Sequence, residues 1–424
     1  MNTLKKVAIL VGGGPAPGIN CVIGTATIRC ELAGVEVLGV PSGFADIMAG
    51  GTDTVRRLSI DDVSRVHFRG GSILGTSRAN PTKDSAAMNR AVGALLELGV
   101  DGLITIGGDD TAFSAMKLAE AAAGRIKVVH VPKTIDNDLV LPPNIDTFGF
   151  QTARHLGAQI IENLMVDAAT TSRWYVVVAM GRKAGHLALG IGKSVGATLT
   201  LIPEEFPDEK LPLATLADIL VGAVLKRIAH GRRHGVAVVA EGVALAIDPA
   251  DLEDLIGAER DEHGHVRIAE IEIGRVLKDA VQERLAELGH KVTLVSKDIG
   301  YELRSADPIP ADMEYTRDLG FCAAQHLLDG GSDAMVTIQG GQFVAVPFSE
   351  MIDPKTGRTA VRLVDVNSAR YRIARSYMIR LAAADFSDSG RLSELAAVAG
   401  LTPEAFRERF EPLVANDSKE AVLA

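Results

Sequence analysis

Short polar turns, each directly after an apolar run, hold the side chains best suited to do chemistry. One of them, GGDDT at 107–111, carries the adjacent carboxylates Asp109 and Asp110. Carboxylates in such a turn suit Mg²⁺, which takes one or two protein oxygens and completes its shell with water and substrate phosphate. A helix cap is the alternative for Asp110 or Thr111 taken alone.

A second acidic turn, PKTIDND, occupies 132–138. Its chemistry-bearing residues are Lys133, Thr134, Asp136 and Asp138. Asp136 follows Asp109 by 27 residues, about the length of one β-α-β crossover unit, so we expect the two carboxylates to end neighbouring parallel strands and to share one substrate. An Asx-rich turn is the alternative, although such a mixture of charges is unusual for a mere connection.

Two further turns could bind phosphate. The first apolar run leads into GGGPAPG at 12–18 and a helical segment opens at Asn20, an arrangement that directs backbone amides at a phosphate. It is not a dinucleotide fingerprint, because Pro17 replaces the last glycine and no acidic residue ends the second strand.

The other turn, MGRKAGH at 180–186, has two cations that suit a sugar phosphate. A turn without a ligand and a solvated helix start are the respective alternatives.

These turns are positioned by alternating strand and helix patterns. Short Val- and Ile-rich runs, bounded by Gly or Pro, alternate with segments of helical periodicity, which predicts an α/β fold with a mainly parallel sheet and flanking helices. The predicted strands are 7–11, 35–40, 103–106, 127–131, 175–179, 236–240, 292–295 and 335–338. The predicted helices are 85–98, 111–123, 152–167, 213–230, 271–288 and 315–328.

The strand pattern fades after Pro347. Helical segments at 370–381, 393–399 and 403–409 predict a helical C-terminal extension over 350–424. The charge-dense segments 203–210 and 251–267 are predicted surface loops.

Composition excludes several classes of protein. The 424 residues suggest two or three domains, and 47% apolar with 23% charged residues excludes a disordered or fibrous chain. The formal charge of −10 disfavours nucleic acid and anionic membranes as partners, and no stretch reaches the ~18 apolar residues that span a bilayer. Cys21, Cys30 and Cys322 are too scattered for a disulfide framework or a zinc cluster, so we expect a reducing, cytoplasmic setting.

Seven motifs in register resemble one family. GGGPAPGIN, GTSR, GGDD, PKTIDND, MGRKAGH, AEG and GYELRSADP resemble the 6-phosphofructokinases over roughly residues 5–345, and GGDD and PKTIDND resemble their pyrophosphate-dependent branch. The resemblance implies reversible transfer of a phosphoryl group from pyrophosphate to fructose 6-phosphate, with Mg²⁺, in glycolysis or gluconeogenesis. It also implies two Rossmann-like lobes: 1–148, completed by part of 300–350, for the donor, and 149–300 for the sugar phosphate.

The resemblance assigns the chemical step to the two acidic turns and the glycine-rich loop. Asp136 would be the general base that takes the proton from the C1 hydroxyl, and Asp138 would help to hold the sugar. Asp109 would hold Mg²⁺, Gly13 would offer its amide to the donor phosphates, and Thr134 would hydrogen-bond the transferring phosphoryl group.

Other loops would bind the sugar phosphate. Arg78 would bridge both phosphate groups, and Tyr301 and Arg304 lie in a segment that binds the 6-phosphate, although Tyr301 stands where ATP-using relatives usually have His. The remaining sugar contacts fall on Met180, Gly181, Arg182 and Glu241. Arg173 matches an arginine that a neighbouring subunit lends, so the resemblance implies a homo-oligomer, dimer or tetramer, with shared active sites.

Asp110 and Lys133 indicate the donor. ATP-dependent relatives have Gly where Asp110 stands, and a carboxylate there adds bulk and like charge beside the α-phosphate. At ~4 Å and an effective dielectric of about 20, two unit charges repel by ~4 kcal/mol, roughly three decades in affinity. Lys133 replaces a small residue and supplies a cation to a compact donor. The alternatives are an ATP-dependent enzyme, a catalytically silent sugar-phosphate-binding subunit and a kinase that also uses sedoheptulose 7-phosphate.

Overall fold

The computed structural model describes residues 4–139, 141, 145–206, 210–251, 272–352 and 360–414. The chain divides into two compact units. Unit 1 consists of Met1–Ala153 and Tyr301–Arg362, and unit 2 consists of Arg154–Gly300 and Leu363–Ala424. The chain therefore passes between the units three times, and the segment 350–424 contributes to both. Which ligand each unit binds stays a prediction.

The strands and helices are numbered in chain order over the described residues. The strands are β1 Lys6–Val11, β2 Glu36–Val40, β3 Arg56–Leu58, β4 Gly102–Gly107, β5 Lys127–Thr134, β6 Phe148–Gly149, β7 Trp174–Ala179, β8 Leu199–Leu201, β9 Gly235–Ala240, β10 Leu294–Ile299, β11 Ala334–Gln339 and β12 Gln342–Pro347. The helices are α1 Ile19–Leu32, α2 Ala45–Met48, α3 Ile60–Val63, α4 Ser85–Glu97, α5 Asp109–Ala122, α6 Phe150–Thr171, α7 His186–Val195, α8 Leu213–Ala229, α9 Ile273–Glu287, α10 Tyr301–Arg304, α11 Pro310–Leu328, α12 Ala369–Tyr377, α13 Ala383–Ser387, α14 Ser389–Val398 and α15 Pro403–Phe410.

Unit 1 is built on a sheet of order β12-β11-β5-β4-β1-β2-β3, with β6 paired to β5. Its central pairs are parallel, whereas β3 and β12 run antiparallel to their neighbours. All residues of β4 are buried, as expected for a parallel strand with both faces covered. The carboxyl ends of β1, β4 and β5 therefore lie side by side at one edge of the sheet.

Unit 2 contains a parallel sheet of order β10-β7-β9-β8. Its central strands β7 and β9 are buried throughout. The C-terminal helices α14 and α15 pack against α8 of the same unit. Phe406 and Phe410 of α15 are fully buried, so these helices contribute to the core of unit 2.

The predicted α/β class is confirmed, and every predicted strand overlaps a strand of the structure. The prediction at 292–295 begins two residues early and ends four residues early; the early end arises because Lys297 and Asp298 interrupt the apolar pattern of the edge strand β10. The edge strands β3, β8 and β12 were missed because each is short or partly exposed. The turn between β11 and β12 consists of Gly340 and Gly341, both with positive φ, which is typical of a tight hairpin.

The predicted helices also correspond to helices, with ends that differ by at most five residues. The one expected over 271–288 is α9, although residue 271 lies outside the described residues. Of the helices expected in the C-terminal segment, that at 370–381 ends at Tyr377. None of the described helices is long and apolar enough to cross a membrane.

The expectation of surface loops is wrong for the start of 203–210. Pro203–Glu205 forms a 3-10 turn in which Glu204 is only 8% exposed. Its Oε1 accepts hydrogen bonds from the amides of Gly185 (2.8 Å) and Val364 (2.9 Å), so the carboxylate is drawn inward. Burial raises the pKa of Glu204. Residues 207–209, and nearly all of 251–267, lie outside the described residues.

Candidate active site

In unit 1 the candidate site is formed by turns that follow β1, β4 and β5. The three strands are adjacent and parallel, and Gly107 of β4 is in register with Pro132 of β5. The turns with Asp109 and with Asp136 therefore begin at the same level of the sheet edge. The predicted arrangement of the two acidic turns on neighbouring strands is confirmed.

Thr111 connects the glycine-rich loop with the first acidic turn. It is buried, and its side chain occupies the space that a Cβ would take at either Gly12 or Gly107. The Gly12 amide donates to the carbonyl of Ile106 at 2.9 Å. Only glycine allows both turns to approach Thr111 this closely.

The expected role of the Gly13 amide requires a correction. This amide donates to the carbonyl of Ser77 at 2.8 Å, within the protein, and is not directed at a phosphate. The bond forms because residue 13 takes a left-handed conformation, with φ +80°, which turns its N–H toward the segment that contains Arg78. The contribution of Gly13 is thus to fix the loop beside Ser77.

Two cations flank Gly14 at the tip of the loop. Lys133 is only 4% exposed, and its Nζ donates a hydrogen bond to the Gly14 carbonyl. A Cβ built on Gly14 would lie 3.1 Å from Nη1 of Arg304, so this guanidinium lies against the loop as well. Arg304 also stacks over the ring of Tyr301, 4.5 Å from its centroid. The tip of the loop therefore has positive surroundings.

Asp109 and Asp110 are the first two residues of α5, with Gly108 as the cap. Neither aspartate caps the helix, so the alternative of an N-cap role is not supported. Carboxylates in a first helical turn are favoured by the positive end of the helix dipole. Asp110 is exposed and Asp109 half-buried, which leaves both near enough to the surface to meet a metal-bound phosphate.

The second acidic turn is held by a hydrogen bond between its own residues and by one from Thr147. The Asp136 amide donates to Oγ1 of Thr134 at 3.0 Å, and the Thr147 hydroxyl donates to the Thr134 carbonyl at 2.6 Å. Because Oγ1 of Thr134 accepts from the amide, its own hydrogen can be donated to a ligand. Asp136 and Thr134 thus lie together in this turn, and Asp138 follows two residues later.

Asn137 is a residue of this turn that sequence reasoning missed. It is 2% exposed, with φ +56°, and its Nδ2 donates to Asp146 at 2.7 Å. Its Oδ1 accepts from the Thr147 amide at 3.0 Å. An asparagine between two aspartates is itself a signal, since Asn tolerates the left-handed conformation better than most residues.

In unit 2 the structure brings together four predicted residues. Oε2 of Glu241 accepts from the amides of Gly181 (3.3 Å) and Arg182 (3.2 Å), and the Met180 amide donates to the carbonyl of Ile299 at 3.1 Å. Arg182 has φ +46°, a conformation that costs roughly 1–3 kcal/mol and persists only where the surroundings maintain it. Glu241 thus fixes the shape of the 180–182 loop.

The structure does not bring Arg173 to this loop. Arg173 precedes β7, whereas Met180 follows it, and six strand residues span about 20 Å. The Nε of Arg173 lies 3.8 Å from Oδ2 of Asp167 in a half-exposed ion pair. Arg173 therefore lies at the amino end of the parallel strands, whereas Glu241 and its partners lie at the carboxyl end.

The family assignment follows from the sequence around these turns. The model of the phosphofructokinase family matches residues 6–327, which include every predicted site residue. The chain belongs to the phosphofructokinase family. The resemblance inferred from the seven motifs is therefore confirmed.

Two relatives match this phosphofructokinase over nearly its whole length. The pyrophosphate--fructose 6-phosphate 1-phosphotransferase of Thermotoga maritima is 53% identical over 411 residues, 96% of this chain and 98% of the relative. The protein of the same name from Naegleria fowleri is 47% identical over 420 residues, 97% of this chain and 96% of the relative.

A solved structure supports the fold. The crystal structure of pyrophosphate-dependent phosphofructokinase from Nitrosospira multiformis matches with a TM-score of 0.67, over 88% of this chain and 90% of that chain. The sequence identity is 17%, so this likeness concerns the fold alone.

A buried histidine, His130 of β5, contacts the start of the first acidic turn of this phosphofructokinase. Nε2 of His130 lies 3.0 Å from the carbonyl of Gly107, and Nδ1 lies 2.8 Å from the hydroxyl of Thr105. Since a carbonyl only accepts, Nε2 carries the proton and Nδ1 accepts from Thr105. A histidine within a Val-rich buried strand is the sequence signal that was missed.

Because His130 is buried, we expect the free energy of unfolding to fall in acid. Burial lowers its pKa to about 3, whereas an unfolded histidine titrates near 6.5. Between these values the unfolded chain holds the extra proton, so lowering the pH favours unfolding by on the order of 1.4 kcal/mol per pH unit. The measurement is the free energy of unfolding in urea from pH 7 to pH 5, for the natural protein and for His130→Gln.

The variant should lose this part of the pH dependence, since Gln can still donate to Gly107 but does not titrate. His230→Gln, at an exposed position, is the control and should keep the natural slope. Equal slopes for the natural protein and His130→Gln would contradict the prediction.

Proposed function

We propose that this phosphofructokinase transfers a phosphoryl group from pyrophosphate to the C1 hydroxyl of fructose 6-phosphate, giving fructose 1,6-bisphosphate and phosphate. The relatives from Thermotoga maritima and Naegleria fowleri, with 53% and 47% identity over nearly the full chain, support this activity by their names. Pyrophosphate and fructose 1,6-bisphosphate have similar phosphoryl-transfer potential, so the reaction is reversible. It serves glycolysis or gluconeogenesis.

The observation that carries the choice of donor is that Asp110 and Lys133 lie on the turns of two neighbouring strands, β4 and β5. Asp110 lies in the first turn of α5, and the Lys133 cation is bonded to the carbonyl of Gly14. A carboxylate there repels the extra phosphate of a nucleotide, and the cation attracts a small, highly charged donor. Both effects favour pyrophosphate over ATP.

Mg²⁺ fits the residues of the acidic turn. Among the residues that the structure describes, no group of three or more His, Cys, Asp or Glu side chains could hold a metal by itself. Magnesium requires only one or two carboxylates when phosphate oxygens and water complete its shell, and Asp109 can supply one. When bound, the ion neutralises charge on the donor phosphates.

The reacting groups belong to the second acidic turn. Asp136 takes the proton from the C1 hydroxyl, and Thr134 donates its hydroxyl hydrogen to the transferring group. A carboxylate suffices as the base, since phosphoryl transfer depends mostly on position and charge neutralisation. Asp138 helps to hold the sugar, and the exposed Arg78 bridges the two phosphate groups.

The acceptor sugar phosphate is held by several of the predicted residues. The 180–182 loop, with Met180, Gly181 and Arg182, contacts the sugar, and Glu241 binds its hydroxyls through Oε1, because Oε2 is taken by the loop amides. Arg304 binds the 6-phosphate together with Tyr301, which is 72% exposed.

The enzyme is proposed to be a homo-oligomer with shared sites. Arg173 lies at the other sheet edge from the sugar loop of its own chain, which supports a role in the site of a neighbouring subunit. A cytoplasmic setting is proposed as well, since the three cysteines are free thiols.

A donor-swap assay tests this function. The purified protein is supplied with fructose 6-phosphate and Mg²⁺, and turnover is measured with pyrophosphate and with ATP. We expect kcat/KM to be about 10³-fold higher for pyrophosphate, the factor that corresponds to ~4 kcal/mol. Faster turnover with ATP would refute the choice of donor, and sugar binding without turnover would favour a silent subunit. Preference for sedoheptulose 7-phosphate as acceptor would refute the substrate.

A further inference from the structure

The segment that contains Arg362 pairs with the loop that carries the proposed catalytic carboxylates. Val361 forms an antiparallel bridge with Leu139, and the Arg362 amide donates to the carbonyl of Asp138 at 2.7 Å. This segment lies beyond residues 6–327, the part of the chain that the family model matches. A stretch outside that match is therefore attached to the reacting loop through its backbone.

The Arg362 side chain adds contacts that are specific to a guanidinium. Nε donates to the carbonyl of Asn137 at 3.1 Å, Nη1 to the carbonyl of Ile145 at 2.7 Å, and Nη2 to Oδ1 of Asn137. A planar group with donors on three nitrogens can satisfy all three oxygens at once, which an ammonium on a flexible stem does not reproduce.

These contacts converge on Asn137, the residue between Asp136 and Asp138. Its left-handed backbone, φ +56°, is a conformation that needs support, and Arg362 bonds both its carbonyl and its side-chain oxygen. Were Asn137 to relax, the peptide groups on either side would rotate and both carboxylates would change direction. The Arg362 contacts thus help to set the direction of the Asp136 carboxylate, although Arg362 does not touch a reactant.

We propose that Arg362 is a positioning residue for phosphoryl transfer: it keeps Asn137 left-handed and thereby aims the Asp136 carboxylate. This inference rests on the proposed function, in which Asp136 is the base. A displacement of the base by an ångström reduces the rate of the chemical step, whereas substrate binding depends on other residues. Loss of Arg362 should therefore lower kcat more than it raises KM.

The test compares Arg362→Met with Arg362→Lys. We expect Met to lower kcat about 10- to 100-fold, with KM for both substrates within about threefold, and Lys to restore part of kcat. Val361 and Leu363 on either side are exposed, so Arg362 lies in a part of the segment near the surface. Unchanged kcat in Arg362→Met, or an equal effect on kcat and KM, would overturn the proposal.

Arg125→Met is the matched control. Arg125 also donates to two backbone carbonyls, those of Ala122 and Ala121, but at the end of α5. This variant should keep the natural kcat. A similar fall in kcat for Arg125→Met would show that loss of any arginine that bonds backbone carbonyls slows the enzyme. That result would overturn the positioning role.

Hydrogen exchange gives a readout that needs no turnover. The Thr147 amide donates to Oδ1 of Asn137, so it should exchange faster in Arg362→Met and at the natural rate in Arg125→Met. If the natural protein fails to use pyrophosphate, the proposed function is refuted, while faster exchange at Thr147 still supports the structural half of the inference. Unchanged exchange in Arg362→Met would refute the inference alone.

Discussion

Asp136→Asn is expected to lower kcat for phosphoryl transfer from pyrophosphate by about 10³-fold, within the range for loss of a general base. The amide variant cannot take the proton from the C1 hydroxyl, yet it has nearly the same shape. The backbone bond from residue 136 to Thr134 remains, so the turn should keep its conformation. Steady-state kinetics with pyrophosphate and fructose 6-phosphate provide the measurement.

Sugar binding separates a lost base from a lost fold. We expect the Kd of fructose 6-phosphate, measured by calorimetry, to stay within about threefold, because the base acts mainly in the transition state. Asp53→Asn, an exposed aspartate of the same unit, should retain full activity. If Asp136→Asn kept more than a tenth of the natural kcat, Asp136 would not be the base.

The double variant Asp110→Gly, Lys133→Gly is expected to exchange one donor for the other. Removing the carboxylate takes away about 4 kcal/mol of repulsion toward a nucleotide phosphate, and removing Lys133 takes away the cation beside Gly14. We expect kcat/KM for pyrophosphate to fall at least about 100-fold and turnover with ATP to become measurable. The donor-swap assay, repeated on the variant, measures both.

Single substitutions separate charge from size. Asp110→Asn removes the charge and keeps the volume, so it should admit ATP less well than Asp110→Gly if bulk also matters. Lys133→Met keeps the buried stem and should lower pyrophosphate use without ATP activity. A double variant that stays folded, by its thermal midpoint, and still prefers pyrophosphate would contradict this account of donor choice.

The parts of the fold that sequence predicts best are the strands buried on both faces. The strands β1 and β4 appear as nearly continuous apolar runs, and β5 as a Val-rich run interrupted by His130, because helices cover both sides of the sheet. The turns that follow them stand out for the same reason, since polar residues directly after such a run have to lie at the sheet edge. The position of Asp109 and Asp136 could therefore be predicted.

Contacts between distant segments could not be predicted. Arg362 bonds Asn137 across 225 residues of sequence, and neither residue belongs to a recognisable pairwise pattern. The Gly13 amide was misjudged because its partner, the Ser77 carbonyl, comes from a segment whose approach is set by tertiary packing. Periodicity and motifs describe what a loop carries, whereas its hydrogen-bond partners depend on the whole unit.

Thr111 makes the two glycine turns dependent on each other. Because one side chain fills the space beside both Gly12 and Gly107, neither position can gain a methyl group while residue 111 keeps its present volume. A lineage that enlarges either glycine must first shrink its shared neighbour, and a lineage that enlarges the neighbour loses both turns. Drift at these three sites is therefore confined to coordinated steps, whatever donor the enzyme comes to use.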